Sequence, residues 1–430
     1  MTNKISKNLE DLLFSLIKEQ INEESSKILK EMINIYNSNN MIKKSILINN
    51  YSLDNDKNVN EKNHIEKIIE ILINLNYIEY KETDDIIIKI DNILNILIYP
   101  RYCYYVNSIY GPKCLKIIEY LLEFGFYSLD DNQNQKLNFI RNDFNSLVRD
   151  GIIIKYNYQR TNRENGINNN KYINNNIFNT NIQEIYRINY NLLNRLIFKE
   201  YIISYYKQYI SMNFQFYDLF KKLVYSDNYS YELKNYEQSF LDNKLIDNYD
   251  YDKLILKEKN KLMLNKDIIK YDLFYNSLEK IINVLFSPKH IRIFRIIQRN
   301  ENLNSFQISQ KASLKTIEVE EILEDLINKI KIIKKEEKKE KDKNDINNIN
   351  IISDTFCLNE INEFHIKMIK ENIYDIIKNI KFELKDKLKE SQGRISKETE
   401  IQYINKYYSL TNCFSEILNS YNFLFDNNNK

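Results

Sequence analysis

The sequence predicts a mainly α-helical protein with small β-hairpins (an α+β fold), built from four similar modules and a C-terminal pair of helices. Apolar residues recur at helical spacing along most of the 430-residue chain. At four places a helical pattern ends in a short polar step and continues into a β-like run. The C-terminal region instead carries one long stripe of isoleucine and leucine.

The β-like runs recur at regular intervals. They begin at Asn76, Asp150, Asn243 and Asn328, which are 74, 93 and 85 positions apart. This interval is the size of a winged-helix module, which has three helices followed by a two-stranded wing. We therefore expect winged helices at 7–98, 99–188, 189–271 and 272–358, and an antiparallel helical hairpin or coiled coil at 359–430.

The first module shows the pattern most clearly. Helical spacing runs from Leu9 to Ile35, Ile42 to Ile48 can form a further short helix, and His64 to Leu75 forms the last helix. Tyr77 to Tyr80 and Ile86 to Ile90 then form a hairpin with an acidic connection. An acidic wing should not bind the phosphate groups of nucleic acid.

In the second module two glycines mark helix ends. Gly125 and Gly151 each follow a helical pattern, where a residue with positive φ commonly ends the helix. Ile152 to Tyr156 and Ile185 to Ile188 form the hairpin strands. The tip between them, 157–183, is rich in asparagine, and its role is open.

The third and fourth modules repeat this order. In the third, a helix runs from Leu192 to Met212, and Lys253 to Leu256 pairs with Leu262 to Leu264. The elements of the fourth are helices at Pro288 to Arg299, Phe306 to Ala312 and Thr316 to Lys329, then strands from Lys331 and from Ile351 to Leu358.

The tail carries a stripe near 3.5-residue spacing, which is typical of coiled coils. A break at Glu390 to Gly393 and a second helix from Thr399 to Phe425 follow it. The stripe consists of Ile366, Ile369, Ile373, Ile376, Ile380, Leu384 and Leu388.

Composition argues against several classes of function. Net charge is +2, so any nucleic-acid contact must come from local patches. Only 5 glycines occur and no phosphate-binding glycine motif is present, which disfavours the usual nucleotide-binding enzymes. The 4 cysteines and 3 histidines show no metal-ligand spacing, so we expect reduced thiols, no metal and no cofactor. We also expect no membrane span, no secretion signal and no catalytic site.

Several segments resemble one protein family, in the same order and at the same spacing. These are Ile98 to Tyr102 (Ile-Tyr-Pro-Arg-Tyr), Ile117 to Gly125, Tyr186 to Tyr209 and Arg292 to Ile297. The family is the third-largest type of RNA polymerase III subunit, a tandem winged-helix family related to the alpha subunit of transcription factor IIE. The C-terminal hairpin agrees, so the resemblance covers nearly the whole chain. The family's long loops before the third module are reduced here to the tip after Tyr156.

The resemblance implies a nuclear, non-catalytic subunit of RNA polymerase III. Such a subunit belongs to a peripheral subcomplex with two other subunits, on the clamp of the largest subunit. It supports promoter opening and initiation of small RNAs such as transfer RNA and 5S ribosomal RNA. Its expected partners also include promoter DNA and an initiation factor of the IIIB type, and they do not include a membrane.

Any DNA contact should come from the second module. Arg141 and Arg149 lie on its third helix, and basic residues on a third helix or wing are what phosphate contact requires. Its wing holds four cations, here called the wing cations: Lys155, Arg160, Arg163 and Lys171. Because Glu164 alone lies among them, we expect little neutralisation. The alternative is a wing held loosely in solvent, and the sequence leaves both open.

The candidates for partner contact lie in three segments: Tyr99, Pro100, Arg101 and Tyr102; Arg292 and Arg295; and Ile373 and Ile380. For the first we favour a rigid interdomain connector, with Pro100 fixing an extended turn. For the second we favour a salt-bridged surface helix. The third belongs to a stripe longer than one module needs for its core, so part of the stripe should be an interface.

The fourth module should bind protein rather than DNA, because the acids of its third helix repel phosphate. These acids are Glu318, Glu320, Glu321, Glu324 and Asp325.

Two alternatives belong to other functional classes. A helical scaffold ending in one winged helix would show stacked helix pairs through its first two hundred or so residues, and the strands expected at Tyr77, Ile152 and Ile185 speak against it. A free-standing winged-helix DNA-binding regulator would need a basic third helix and strongly salt-dependent binding.

Overall fold

The computed structural model gives a mainly helical protein with small antiparallel sheets, which confirms the fold class at that level. It describes residues 5–39, 41–53, 59–81, 85–128, 141–159, 182–210, 214–226, 229–232, 251–258, 261–300, 302–330, 333–340, 351–358, 371–380, 382–383, 386, 401–402, 404–413 and 416. The chain forms two compact units: Met1–Ile5 with Leu13–Ile197, and Ser6–Leu12 with Phe198–Lys430. The five module boundaries stay predictions.

The N-terminal helices bury one apolar face each. In the helix that runs into the first sheet, the buried residues are Ile65, Ile68, Ile69 and Leu72, which repeat every three or four positions. The helices up to residue 210 are α1 (Lys7–Gln20), α2 (Glu23–Asn39), α3 (Lys44–Leu53), α4 (Val59–Asn74), α5 (Ile90–Leu94), α6 (Tyr99–Tyr110), α7 (Pro112–Phe124), α8 (Arg141–Arg149) and α9 (Tyr190–Ile210).

The first sheet contains the predicted hairpin and one further strand. Its strands are β1 (Ile42–Lys43), β2 (Ile78–Tyr80) and β3 (Asp85–Ile88), in the order β1-β3-β2. The expectation of a short helix starting at Ile42 is wrong at its first two residues. Ile42 pairs with Ile86 because its side chain is buried there, and the helix begins at Lys44.

The second sheet has the same strand order. Its strands are β4 (Tyr127–Ser128), β5 (Ile153–Gln159) and β6 (Ile182–Ile188), in the order β4-β6-β5. Gly125 and Gly151 have φ of +83° and +75°. Both predicted helix ends are therefore confirmed, and at Gly125 a Cβ would also collide with the backbone of Asn74.

The third sheet lies in the second unit and has the same strand order. Its strands are β7 (Ser230–Glu232), β8 (Ile255–Glu258) and β9 (Lys261–Leu264), in the order β7-β9-β8. The predicted pairing is confirmed, but β8 starts two residues later than expected because the chain before it closes a helical turn. The nearby helices are α10 (Phe214–Tyr225), α11 (Tyr251–Leu254) and α12 (Lys266–Leu285), and the core between these elements contains Phe198, Ile202, Phe220, Leu262 and Leu273.

The next part of the chain has three helices, a two-stranded sheet and one isolated bridge. Strands β10 (Ile333–Glu340) and β11 (Ile351–Leu358) pair from end to end, and Leu303 forms an isolated antiparallel bridge with Phe356. A capping box at Asn304 and Gln307 begins the second of its helices. The helices are α13 (Pro288–Arg299), α14 (Ser305–Ala312) and α15 (Thr316–Asp325), the last followed by a short π-helix at Leu326–Ile330.

In the C-terminal region, residues 371–380 and 404–413 are helical. The predicted break at 390–393 lies outside the described residues, so the antiparallel hairpin stays a prediction. Throughout the part of the chain that the structure describes, no helix is long and apolar enough to cross a membrane.

Candidate functional site

The Tyr-Pro-Arg-Tyr segment is helical, so the expected extended turn is wrong. Tyr99 to Tyr102 form the first turn of α6, where proline is tolerated because the first helical N–H groups have no partner within the helix. Tyr102, Tyr105 and Val106 lie on one side of α6 and are buried. Their burial decides the conformation of the segment.

Tyr99 and Tyr102 belong to a cluster of polar groups inside the first unit, here called the tyrosine cluster. Its members are Tyr77, Asn95, Tyr99, Tyr102, Tyr190 and Asn194. The Tyr102 hydroxyl lies 2.7 Å from Oδ1 of Asn194 and 3.0 Å from Oδ1 of Asn95. The Tyr99 hydroxyl lies 3.0 Å from that of Tyr77 and 3.3 Å from that of Tyr190. The cluster joins residues of the first hairpin, of α6 and of α9.

The tyrosines of this cluster are neutral. Burial is the main cause that raises the pKa of Tyr77, Tyr99, Tyr102 and Tyr190 above the ordinary tyrosine value. The rings of Tyr99 and Tyr190 also stack, with centroids 6.2 Å apart. This arrangement packs Tyr99 and Tyr102 inside the first unit, and it leaves Tyr102 no exposed surface for a partner.

Two of the cations predicted to contact DNA, Lys155 and Arg149, form ion pairs within the chain. Lys155 donates a hydrogen bond to Glu184 on the neighbouring strand, and this hydrogen bond raises the pKa of Lys155. The expectation that Glu164 alone offsets the wing cations is therefore wrong. Arg149 is exposed and pairs with Asp150 at 3.1 Å, and Arg141 lies in the first turn of α8. The other wing cations, Arg160, Arg163 and Lys171, lie outside the described residues.

The two arginines of α13 differ. Arg295 donates two hydrogen bonds to the carboxylate of Glu279, at 2.6 and 3.0 Å, which supports the salt-bridged interpretation for this residue. Arg292 is exposed and has no ion-pair partner in the part of the chain that the structure describes.

Part of the C-terminal stripe is buried within the chain itself. Ile373 and Ile380 are buried, as is Ile377 between them. Further along, the side chain of Glu416 is 6% exposed and accepts a hydrogen bond from Lys280 at 2.9 Å. No sequence pattern predicts this ion pair, which joins the buried carboxylate of Glu416 to the half-exposed Lys280 of α12.

The acids of α15 fall into two groups. Glu318 pairs with Lys289, and Asp325 pairs with Lys329 and His290. Glu320, Glu321 and Glu324 are exposed on the other side of α15. Among the described residues, Glu321 and Glu324 have no ion-pair partner.

The fold and these surfaces define a mainly helical protein with small antiparallel sheets. No protein-family model matches the chain, and no curated protein matches it either.

Proposed function

We propose that the chain is a nuclear, non-catalytic subunit of RNA polymerase III, composed of four tandem winged-helix modules. The observation that carries the proposal is the strand order, which is β1-β3-β2, β4-β6-β5 and β7-β9-β8 in three sheets along the chain. In each sheet a short strand after a helix pairs with the second strand of a hairpin. A winged helix that adds a short strand to its wing has this order.

The last repeat is consistent with the same plan. Leu303, between α13 and α14, bridges Phe356 in the second strand of the hairpin. This bridge stands where the short strand stands in the other three sheets. The colinear resemblance to the polymerase III subunit family is the second support, because it covers the same four repeats.

The role we propose is to help open promoter DNA and begin transcription of small RNAs. The partners would be two subunits of a peripheral subcomplex, the clamp of the largest subunit, an initiation factor of the IIIB type and promoter DNA. Because Lys155 and Arg149 are already paired, DNA contact would rest mainly on Arg141 and the remaining wing cations. Winged helices serve both DNA and protein docking, so the fold alone does not choose between these uses.

The other functional classes have less support. A helical scaffold requires stacked helix pairs in the first two hundred or so residues, where the chain has two three-stranded sheets. A free-standing DNA-binding regulator needs a basic reading helix, whereas Arg149 of α8 is paired with Asp150 and the first turn of α8 contains Asp143.

Depletion of the chain in its own cells tests the function. We expect nascent transfer RNA and 5S ribosomal RNA to fall severalfold within the first hours, while nascent messenger RNA precursors stay unchanged. An equal fall of both classes, or no fall of either, would contradict the proposal.

A truncation tests the role of the tail. Removing Glu363 to Lys430 should leave the first unit folded, as judged by unchanged amide protection in α4 and α7, yet abolish assembly with the polymerase. Because Glu416 would be removed with the tail, α12 should lose some protection as well. Stoichiometric co-purification of the truncated chain would show that the tail only caps its own unit.

A further inference from the structure

The third helix of the last repeat presents an outward face that no described residue covers. Ile317, Glu320, Glu321 and Glu324 follow the spacing i, i+3, i+4, i+7, which places them on one side of α15. The opposite side carries Val319, Ile322 and Leu323, which are buried. The outward side is therefore not needed for the core of this repeat.

A second apolar side chain extends this face. Ile317 is 73% exposed, and Phe306 in the first turn of α14 is 58% exposed. Ser305 donates a hydrogen bond to Glu320 at 3.1 Å, and Thr316 donates one to Ser309 at 3.3 Å. Because these bonds join Ser305 to Glu320 and Ser309 to Thr316, the first turn of α14 lies beside α15, and we treat Phe306 and Ile317 as parts of one surface. Phe306, Ile317, Glu320, Glu321 and Glu324 are here called the acidic-apolar face.

The charges of this face are available to a partner. Of the five acids on α15, Glu318 and Asp325 are paired with cations of the chain. Glu321 and Glu324 are exposed and have no ion-pair partner among the described residues. The cations next to this face along the chain are Lys315, which precedes the helix, and Lys329, which pairs with Asp325. A net negative surface repels the phosphates of nucleic acids and of anionic lipids.

We propose that the acidic-apolar face binds a basic segment of another protein, one that carries large apolar side chains on one side and lysine or arginine beside them. The apolar side chains of that segment cover Phe306 and Ile317, and its cations pair with Glu321 and Glu324. Exposed large apolar residues rimmed by charge mark protein-binding sites, and complementary charge sets the orientation of the partner. The inference is independent of the polymerase proposal, and neither fails with the other.

The test uses a defined probe and the full-length chain. The probe is a fluorescein-labelled helical peptide of about five turns, made of leucine and lysine, with the leucines on one side. One control peptide has the same composition in an order without an apolar side, and another has glutamate in place of lysine. Fluorescence anisotropy at low salt should show saturable binding of the first peptide and much weaker binding of both controls.

Variants of the chain locate the binding site. The double variant E321Q/E324Q should weaken binding about threefold to thirtyfold, because it removes two exposed ion pairs. F306S/I317S should weaken binding at least tenfold without unfolding the chain, because neither residue is in the core. The control E119Q/E123Q removes two exposed acids from α7 and should bind as the wild type does.

Three results would overturn the proposal. The first is equal binding by the wild type and by E321Q/E324Q or F306S/I317S. The second is an equal loss of binding in the α7 control, which would show that only overall charge matters. The third is a dimer in sedimentation equilibrium that F306S/I317S dissociates, which would make a second copy of the chain the occupant.

Discussion

The buried hydroxyl of Tyr102 offers the sharpest test of the fold. Tyr102→Phe keeps the ring and removes the oxygen that lies within hydrogen-bond distance of Asn95 and Asn194. Tyr102 is 0% exposed, and its removal leaves the partly buried Oδ1 of Asn194 without its 2.7 Å partner, while Oδ1 of Asn95 keeps Nδ2 of Asn194 at 3.4 Å. A buried polar group left unsatisfied costs about 1–3 kcal/mol. We therefore expect the opening free energy of α6 and of the first turns of α9 to fall by that amount.

Native-state amide hydrogen exchange measures this change element by element. A loss of about 1–3 kcal/mol corresponds to exchange roughly 5- to 150-fold faster in α6. Tyr104→Phe is the matched control, because Tyr104 lies on the same helix and is 77% exposed. It should change exchange by less than about 0.5 kcal/mol. Equal protection in Tyr102→Phe and wild type would refute the role given to the tyrosine cluster.

The remaining predictions concern a glycine, an ion pair and the wing. Gly125→Ala should destabilise the first unit by about 1–2 kcal/mol for the left-handed backbone and about 1–3 kcal/mol more for the collision. Gly151→Ala, at φ +75° with only a side-chain atom of Leu192 at 3.2 Å from the new Cβ, should show mainly the first cost, and equal melting of the two variants would contradict this. Lys280→Ala should lower the stability of α12 by about 1–2 kcal/mol, because the buried carboxylate of Glu416 loses its cation while Lys280 itself is partly solvated. Lys222→Ala removes an exposed ion pair and should cost under about 0.5 kcal/mol. An equal effect of the two variants on amide exchange would contradict the stabilising role of the Lys280–Glu416 pair. Changing all four wing cations to serine should weaken promoter opening at moderate salt without altering sequence preference. It should also lower the salt slope of DNA binding by roughly 0.7–0.9 for each phosphate that the wing no longer neutralises. An unchanged salt slope would show that the wing has no role in DNA binding.

The glycines show what the sequence could predict. Only 5 occur in the chain, so a glycine at the end of a helical pattern is a strong signal, and Gly125 and Gly151 both end helices. The hairpins were predictable for a similar reason, because short β-like runs follow each helical pattern. These signals are local and do not depend on which residues pack together.

The Tyr-Pro-Arg-Tyr segment shows what local signals missed. Proline restricts its own φ and disfavours the helical region for the residue before it, which suggested an extended turn. The helix forms nevertheless because Tyr102, Tyr105 and Val106 are buried at positions i, i+3 and i+4. That spacing was readable in the sequence. The hydrogen-bond partners of Tyr102, Asn95 and Asn194, could not be predicted from the sequence, because they lie among many asparagines and contact α6 only in the tertiary structure.

The pairing of Lys155 was not predictable for a different reason. Lys155 lies opposite Tyr186, two positions from Glu184, and this placement depends on the register between β5 and β6. The long tip between the two strands leaves the register open in the sequence. The same holds for Glu416, whose partner Lys280 lies 136 positions away.

Affinity purification of the tagged full-length chain from its own cells tests the central proposal most directly. With quantitative identification of the co-purifying proteins, we expect the two largest RNA polymerase III subunits and two smaller partners in near-stoichiometric amounts. An untagged strain and a tagged, unrelated nuclear protein are the controls. Recovery of the chain without any polymerase III subunit would contradict the proposal.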